Sequence, residues 1–332
     1  MEDVARRAGV SRALVSLALN GSPKVSDLRR QRVFDACAEL GYRPNAAARQ
    51  LASRRNGSVG VLLNDLHNPF FAETYDGVAA AAPDHDMRLL LTTGGRRPSG
   101  EQEAIDHMLE HRVDGIILVS PRLPASAIVA ASAIVPVVVV GRVVKGDRID
   151  CITNDERRGV RELVDHLVAC GHERIVHIHG GPGAGARARW RGYEHAMKAH
   201  GLTPDVVPGD FTEQAGAQAA AELLRRRTLP TAVFAANDMA AVGALGAFER
   251  AGVRVPDDLS IVGYDNTFLS RMPDISLSTV DQSTEEMGRL SVALLAKRID
   301  NLDAPPTLEL VVPRYVPGRT SGARTPRPRR PR

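Results

Sequence analysis

A chain of 332 residues, 43% hydrophobic and 25% charged, has room for two or three domains and the composition of an ordinary soluble globular protein. Its longest apolar run, from Ala133 through Val144, is broken by Pro136, Gly141 and Arg142. It therefore falls short of the roughly 20 residues a bilayer span needs and reads as a buried strand. The net charge of +4 hides an asymmetry: residues 1–55 carry eleven basic and five acidic side chains, residues 319–332 carry six arginines and no acid, and the stretch between them is acidic.

A basic N-terminal module on an acidic body is the footprint of a polyanion binder whose body stays off the polyanion. No charged segment followed by an apolar one opens the chain in the manner of a signal peptide. Cys37, Cys151 and Cys170 have neither paired nor metal-like spacing, which points to reduced thiols in a cytosolic protein. No metal site and no cofactor are expected.

In chain order, apolar residues first recur at helical spacing: Val4, Ala5 and Ala8, then Leu14, Val15, Ala18 and Leu19, then Val33, Phe34, Ala36, Cys37 and Leu40. Gly9 and the Gly21-Ser22-Pro23 turn punctuate them, and Ser11 and Ser26 stand where N-caps belong. Three short helices are predicted, at about 3–8, 11–20 and 26–40. Residues 44–55 form an Ala-rich basic linker without an apolar stripe wide enough to fold alone. From Ser58 onward, apolar runs alternate with amphipathic stretches. The runs are Val59–Leu63, Leu89–Thr93, Gly115–Val119, Val135–Val140, Ile175–Ile178, Thr231–Ala235 and Ser260–Val262. Continuous Val/Ile/Leu strands with helical crossovers predict parallel sheets covered on both faces. About 260 residues of this pattern exceed one doubly wound unit, so two Rossmann-like lobes are expected. The Arg/Pro-rich end, 319–332, reads as a disordered basic tail.

The segment Asp3 to Gly21 carries helix-turn-helix chemistry, with Gly9 for the tight turn, small Ala5 at the helix crossing and Ser11 capping the second helix. Through Asp3-Val4-Ala5, Ala8-Gly9-Val10-Ser11, Val15-Ser16 and Leu19-Asn20, this segment resembles the headpiece of the LacI/GalR family of transcriptional regulators. The similarity continues through Val25-Ser26, Gly41-Tyr42-Arg43-Pro44-Asn45 and Ala48-Arg49-Gln50-Leu51. The resemblance implies that the second helix enters the major groove, with Arg12, Ala13 and Leu17 at base-reading positions. Ser11, Ser16, Asn20 and Ser26 would position the module on phosphates. Asn45, Ala48 and Leu51 would belong to a hinge helix that folds on the operator, Leu51 wedging into a central minor-groove step. Relatives carry a few residues before the first helix, including a capping Thr. Here Met1 is followed at once by Glu2-Asp3, so either the start is shortened or one of these acids serves as the cap.

The similarity extends to about residue 320 through Asn68-Pro69-Phe70-Phe71, Asp114-Gly115-Ile116-Ile117, Gly171-His172-Glu173-Arg174, Ala236-Asn237-Asp238 and Gly263-Tyr264-Asp265-Asn266. It implies a periplasmic-binding-protein-like core that senses a small molecule between its lobes. Asn64, His67, Asn68, Phe70, Phe71, Arg142, Asn154, Arg189, Phe211, Asn237, Asp265 and Gln282 fall just past predicted strands or at helix starts, where open α/β sheets bind ligands. Of these, Arg189, Asn237 and Asp265 match the family's most regular ligand contacts, and Phe211 its stacking aromatic. Asn154 stands where many relatives have Asp.

Rival constellations are weaker. Gly183-Ala184-Gly185-Ala186-Arg187-Ala188 fits a loose dinucleotide fingerprint, which would suit an NAD-dependent enzyme. It falls mid-chain behind Pro182, and no general acid/base pair accompanies it. His107 to His111 spells an inverted zinc-protease pattern, but no third ligand is visible and the histidines fall on the solvent side of a helix. A sugar-binding transport protein would share the core but not the headpiece.

The expected organisation is thus an all-α helix-turn-helix headpiece (1–43), a hinge (44–57), an α/β core of two lobes (58–318) and a tail (319–332). One lobe comprises about 58–153 with 282–310, the other about 154–281 with 311–318. The expected function is a non-enzymatic, cytoplasmic, homodimeric regulator, acting as a repressor on a pseudo-palindromic double-stranded DNA operator. Its expected effector is a carbohydrate, and a non-sugar ligand or a partner protein is the alternative. The tail lacks the leucine heptads of a tetramerising end.

Overall fold

The computed structural model describes residues 1–19, 22, 24–42 and 56–324. Asn20, Asn45, Ala48, Leu51 and nearly all of the predicted hinge lie outside the described residues. The chain divides into two compact units, Met1–Asn56 and Gly57–Arg332.

The first unit contains helices α1 (Glu2–Ala8), α2 (Arg12–Leu19) and α3 (Asp27–Glu39). They close on Val4, Ala5, Ala8, Val15, Ala18, Val25, Val33, Ala36 and Cys37. These side chains are all small, which is what lets three short helices approach closely. Gly9 ends α1 in the left-handed region at φ 67°, a conformation a side chain would strain. Ser11 caps α2 by accepting from the Leu14 amide at 3.2 Å. Ser26 occupies the N-cap of α3, but its side chain makes no capping bond, contrary to its expected role. Neither Glu2 nor Asp3 caps α1, which begins at Glu2 with no side-chain cap; Asp3 instead pairs with Arg6 at 2.8 Å.

In the second unit a six-stranded sheet has the order β11-β5-β4-β3-β1-β2. Its strands are β1 (Ser58–Leu63), β2 (Arg88–Thr93), β3 (Gly115–Val119), β4 (Val137–Val140), β5 (Ile149–Asn154) and β11 (Leu308–Val311), all parallel. A second parallel sheet runs β7 (Asp205–Val207), β6 (Ile175–Ile178), β8 (Ala232–Ala235), β9 (Ser260–Val262). Strands β10 (Thr279–Asp281) and β12 (Arg314–Val316) form an antiparallel ribbon.

Alternation along the strands builds two cores per sheet. Val59, Val61 and Leu63 join one cluster with Phe70, Phe71 and Leu295, while Leu62 joins the opposite one with Met108 and Ile116. In the second sheet Val233 and Ala235 face one way, Ala232 and Phe234 the other. The helices that cover the site's surroundings are α4 (Pro69–Ala81), α5 (Pro98–Glu110), α6 (Ala125–Ser132), α7 (Glu156–Ala169), α8 (Ala186–Ala199), α9 (Glu213–Leu224), α10 (Asp238–Arg250), α11 (Phe268–Arg271) and α12 (Thr284–Asp300). The chain passes from one lobe to the other after β5, after β10 and after β11.

Two features depart from the sequence reading. Strands β5, β7, β10, β11 and β12 were not signalled by apolar runs. The C-terminal segment does not leave the fold at residue 319. Thr320 is buried, its carbonyl accepts from the Ile261 amide at 2.7 Å, and its hydroxyl accepts from the Ser278 amide at 2.9 Å. The Arg324 amide donates to the Cys170 carbonyl at 2.8 Å. Backbone pairing, invisible in a Gly/Arg/Thr composition, ties 319–324 to the second lobe.

Candidate functional site

Helix α2 divides sharply into two faces. Val15 and Ala18 are buried in the three-helix core, while Arg12, Ala13 and Leu17 are exposed and Ser16 is half-buried beside them. Leu17 is 42% exposed, a large apolar side chain beside Arg12 and Ser16. Ser11 and Ser26 are also exposed. Arg30 is spoken for structurally, since it donates to the carbonyls of Ser22 and Val25 at 3.0 and 3.3 Å and so ties α3 to the preceding turn.

In the core, both sheets reverse their winding direction, the first between β1 and β3 and the second between β6 and β8. A doubly wound sheet opens a crevice at such a switch point, beyond its strand ends. One cleft with about 450 Å³ of empty space, part of it open to solvent, lies there. From the first lobe come Asn64, Asp65, Asn68, Phe70, Phe71, Arg96, Ser120 and Arg122; from the second come Gly183, Ala184, Arg189, Phe211, Asn237 and Asp265. Eight of the predicted effector residues therefore meet in one cavity.

Arg189 anchors the second lobe's wall. Burial opposes its charge, but Glu156 and Asp265 outweigh burial and hold the guanidinium more firmly protonated than usual. Its Nε and Nη2 donate to Glu156 at 3.0 and 3.2 Å, its Nη1 donates to the Ala236 carbonyl at 2.6 Å, and Asp265 Oδ1 lies 3.6 Å away. The guanidinium lies over the Tyr264 ring, 4.0 Å from its centroid, and 5.6 Å from that of Phe211. Asp265 adopts a positive φ of 133° and accepts from Gln282 Nε2. Burial raises its carboxyl well above the usual range, with Arg189 pulling the other way. Phe211 fits because Gly180 and Gly183 have no side chains: a Cβ on Gly183 would stand 2.5 Å from the ring. This close approach accounts for the glycine-rich turn that also resembled a dinucleotide fingerprint. Asn237 caps α10 through Ala240 at 2.9 Å and donates to the Phe211 carbonyl at 3.3 Å.

On the first lobe, Asn68 caps α4 by accepting from the Phe70 amide at 3.1 Å, and Phe70 and Phe71 meet edge-to-face at 5.3 Å. Glu101, fully buried at the start of α5, accepts from the amides of Arg122 and Leu123, which fixes the loop carrying Arg122. Asn64 Oδ1 and Arg122 Nε are buried without a hydrogen-bond partner, a state proteins rarely leave unused.

Four of the twelve candidate residues, His67, Arg142, Asn154 and Gln282, do not line the cleft. The His67 side chain is 97% exposed, turned outward in the loop that its neighbour Asn68 terminates by capping. Gln282 is buried behind Asp265 and orients it. Arg142 braces the 121–123 loop through the carbonyls of Pro121 and Leu123, and Asn154 donates to the Gln282 carbonyl at 3.3 Å. Conversely, Asp65, Arg96, Ser120 and Arg122 were missed. They follow β1, β2 and β3, so the strand-end rule, applied to every strand of the first sheet, would have found them. His107 on α5 and His111 just past its end are exposed, and the His111 ring contacts the His107 carbonyl at 2.8 Å.

An exposed-faced helix-turn-helix followed by a cleft between two doubly wound lobes defines a DNA-binding, ligand-sensing class of protein. Residues 1–45 match the family described as bacterial regulatory proteins, lacI family, and residues 164–321 the periplasmic binding protein-like domain. The chain is 34% identical over 302 residues to the catabolite control protein A of Priestia megaterium, covering 89% of this chain and 91% of that one. The structure of the lac repressor dimer bound to operator and the anti-inducer ONPF matches with a TM-score of 0.87 at 29% identity, over 97% of this chain and 98% of that one. The transcriptional regulator CelR in complex with cellobiose matches with a TM-score of 0.73 at 31% identity, over 96% of this chain and 99% of that one. The protein belongs to the LacI family and is a DNA-binding transcriptional regulator. Among the described residues no helix is long and apolar enough to cross a membrane.

Proposed function

We propose that the protein is a cytoplasmic, homodimeric repressor without enzymatic activity, released from or recruited to its operator by an uncharged, hydroxyl-rich small molecule of the sugar type. The observation that carries this reading is the cleft at the two switch points. It sets rigid aromatic faces (Phe70, Phe211) against a fully committed guanidinium (Arg189) and polar atoms left without partners. Aromatic faces suit the C–H face of a sugar ring, and fixed donors and acceptors suit its hydroxyls. The cellobiose complex of one relative supports the same ligand class.

On the DNA side, Arg12 is the candidate for guanine O6/N7, Ala13 and Leu17 for a thymine methyl, and Ser11, Ser16 and Ser26 for phosphates. Asn20, Asn45, Ala48 and Leu51 complete the interface by resemblance. Two headpieces of a dimer would occupy two half-sites of a pseudo-palindrome, with segment 44–57 of each chain folding at the centre. Effector binding would close the lobes and bias whether those segments can fold together, and by linkage the operator changes effector affinity by the same factor.

Fluorescence anisotropy on duplexes from upstream of the gene, across a salt series with a sugar panel added at the midpoint, tests the proposal. Tight, salt-dependent binding to one palindromic fragment, altered by one sugar, is the expected result. Binding that no sugar alters points to a non-sugar ligand or a protein partner. No preference over random duplex overturns the assignment of the DNA face.

A further inference from the structure

Asp210 follows β7 in the second lobe, yet its carboxylate is occupied by the first. Arg96 Nη2 donates to Asp210 Oδ2, and Arg122 Nη2 lies 3.6 Å from Asp210 Oδ1. Both arginines line the effector cleft. Neither has drifted there from the surface: the side chains of Arg96 and Arg122 are only 23% and 15% exposed. Arg96 holds a left-handed φ of 63° with its amide on the Asn64 carbonyl at 3.0 Å, and Asp65 Oδ2 stands 3.5 Å from its Nη1. The loop carrying Arg122 is pinned by Glu101. Asp210 is set by its neighbour's amide, since Phe211 N–H donates to Oδ1 at 2.7 Å.

Two guanidinium groups converging on one point make a natural phosphate or carboxylate site, because the fork of N–H donors matches an oxyanion and the charges favour it. Here that point is already filled by a carboxylate of the protein. On the opposite wall Arg189 is likewise matched by Glu156 and Asp265.

We propose that Asp210 is a specificity-determining residue: it occupies the anion position between Arg96 and Arg122 and thereby restricts the cleft to uncharged ligands. Phosphorylated or carboxylated forms of the same ligand are rejected, because the guanidinium groups that would take the anion are already engaged by Asp210, which the anion would have to displace. Specificity of this kind comes from the element that repels the wrong ligand as much as from contacts to the right one. The inference rests on the cleft being the effector site. It adds the charge class of the ligand and a residue that sets it.

The test uses the full chain as wild type, Asp210→Asn and Asp210→Ala, with inorganic phosphate as the first probe. Phosphate is titrated at constant ionic strength while the thermal midpoint is followed. The expected result is a saturable stabilisation of both variants at phosphate concentrations about tenfold or more below any effect on wild type, abolished by adding Arg122→Gln. The second probe is a panel of neutral sugars with their 6-phosphates and uronates. Wild type should bind a neutral member, and the variants should shift the neutral-to-anion preference by about tenfold toward the anion. Equal phosphate responses in all three proteins, or a phosphorylated sugar bound by wild type as tightly as its neutral parent, would overturn the proposal. If phosphate separates the variants but no sugar binds wild type, the role of Asp210 stands and the carbohydrate reading of the cleft falls.

Discussion

The headpiece and the core solve the problem of stability on different scales. Among the described residues the headpiece buries only valines, alanines and one cysteine, a set too small to carry much hydrophobic free energy. Each sheet of the core is covered on both faces by Leu, Ile, Val and Phe. That surplus lets the core bury what the headpiece does not: Asp265 and Arg189 at the cleft, and the Asp150–Arg298 pair, whose two side chains are each 2% exposed. A small unit that only presents a surface can be marginal. A unit that must hold charged groups in fixed positions needs packing to spare.

The largest expected effect tests the charged side of this contrast. Arg189→Ala leaves Glu156 and Asp265 facing each other in the interior, and removing one partner of a buried ion pair costs about 3–5 kcal/mol. Urea unfolding of the core should record that loss, and a change below about 1 kcal/mol would mean the two acids do not depend on Arg189. Next comes Val15→Ala, which hollows the centre of the headpiece and should cost about 2–3 kcal/mol. In hydrogen exchange it should deprotect amides of 2–39 while leaving the core unchanged. Loss of protection in both units would break the separation.

Acid separates the units further, because all ten histidines lie in the core. His177 is fully buried against Phe234 and Tyr193, and burial, opposed by a bond to the Phe234 carbonyl, lowers it from 6.5 to about 3. The folded protein therefore stays unprotonated at His177 where the unfolded chain takes up a proton. The stability this residue contributes is complete above pH 6.5 and is lost as pH falls toward 3. By pH 5 the loss attributable to it is about 2 kcal/mol. Urea midpoints at pH 7 and pH 5 should converge in His177→Phe relative to wild type, and an unchanged pH difference would place the acid sensitivity elsewhere. The smallest effect compares two helix caps. Thr212 accepts from the Ala215 amide at 3.2 Å, so Thr212→Ala should cost about 1 kcal/mol. Ser26→Ala, which removes no capping bond, should cost less than about 0.5 kcal/mol in the headpiece.

What the sequence by itself determined was what local periodicity and short-range chemistry govern. The headpiece helices, the Gly9 turn, the Ser11 cap and the strands rich in Val and Ile were legible because burial repeats every two residues in a strand and every three or four in a helix. Eight cleft residues were legible because an α/β sheet places its sites at strand ends. The tertiary structure alone decided the rest. Ile149–Asn154 alternates too weakly to read as β5; its neighbours β4 and β11 make it a strand. His67 and Asn68 are adjacent, and only the entry angle of α4 turns one outward and one inward. Gln282 sits at a strand end but faces the back of Asp265. Asp210 lies 114 residues from Arg96. No local pattern can announce that meeting, because it exists only once two separately wound sheets bring their switch points together.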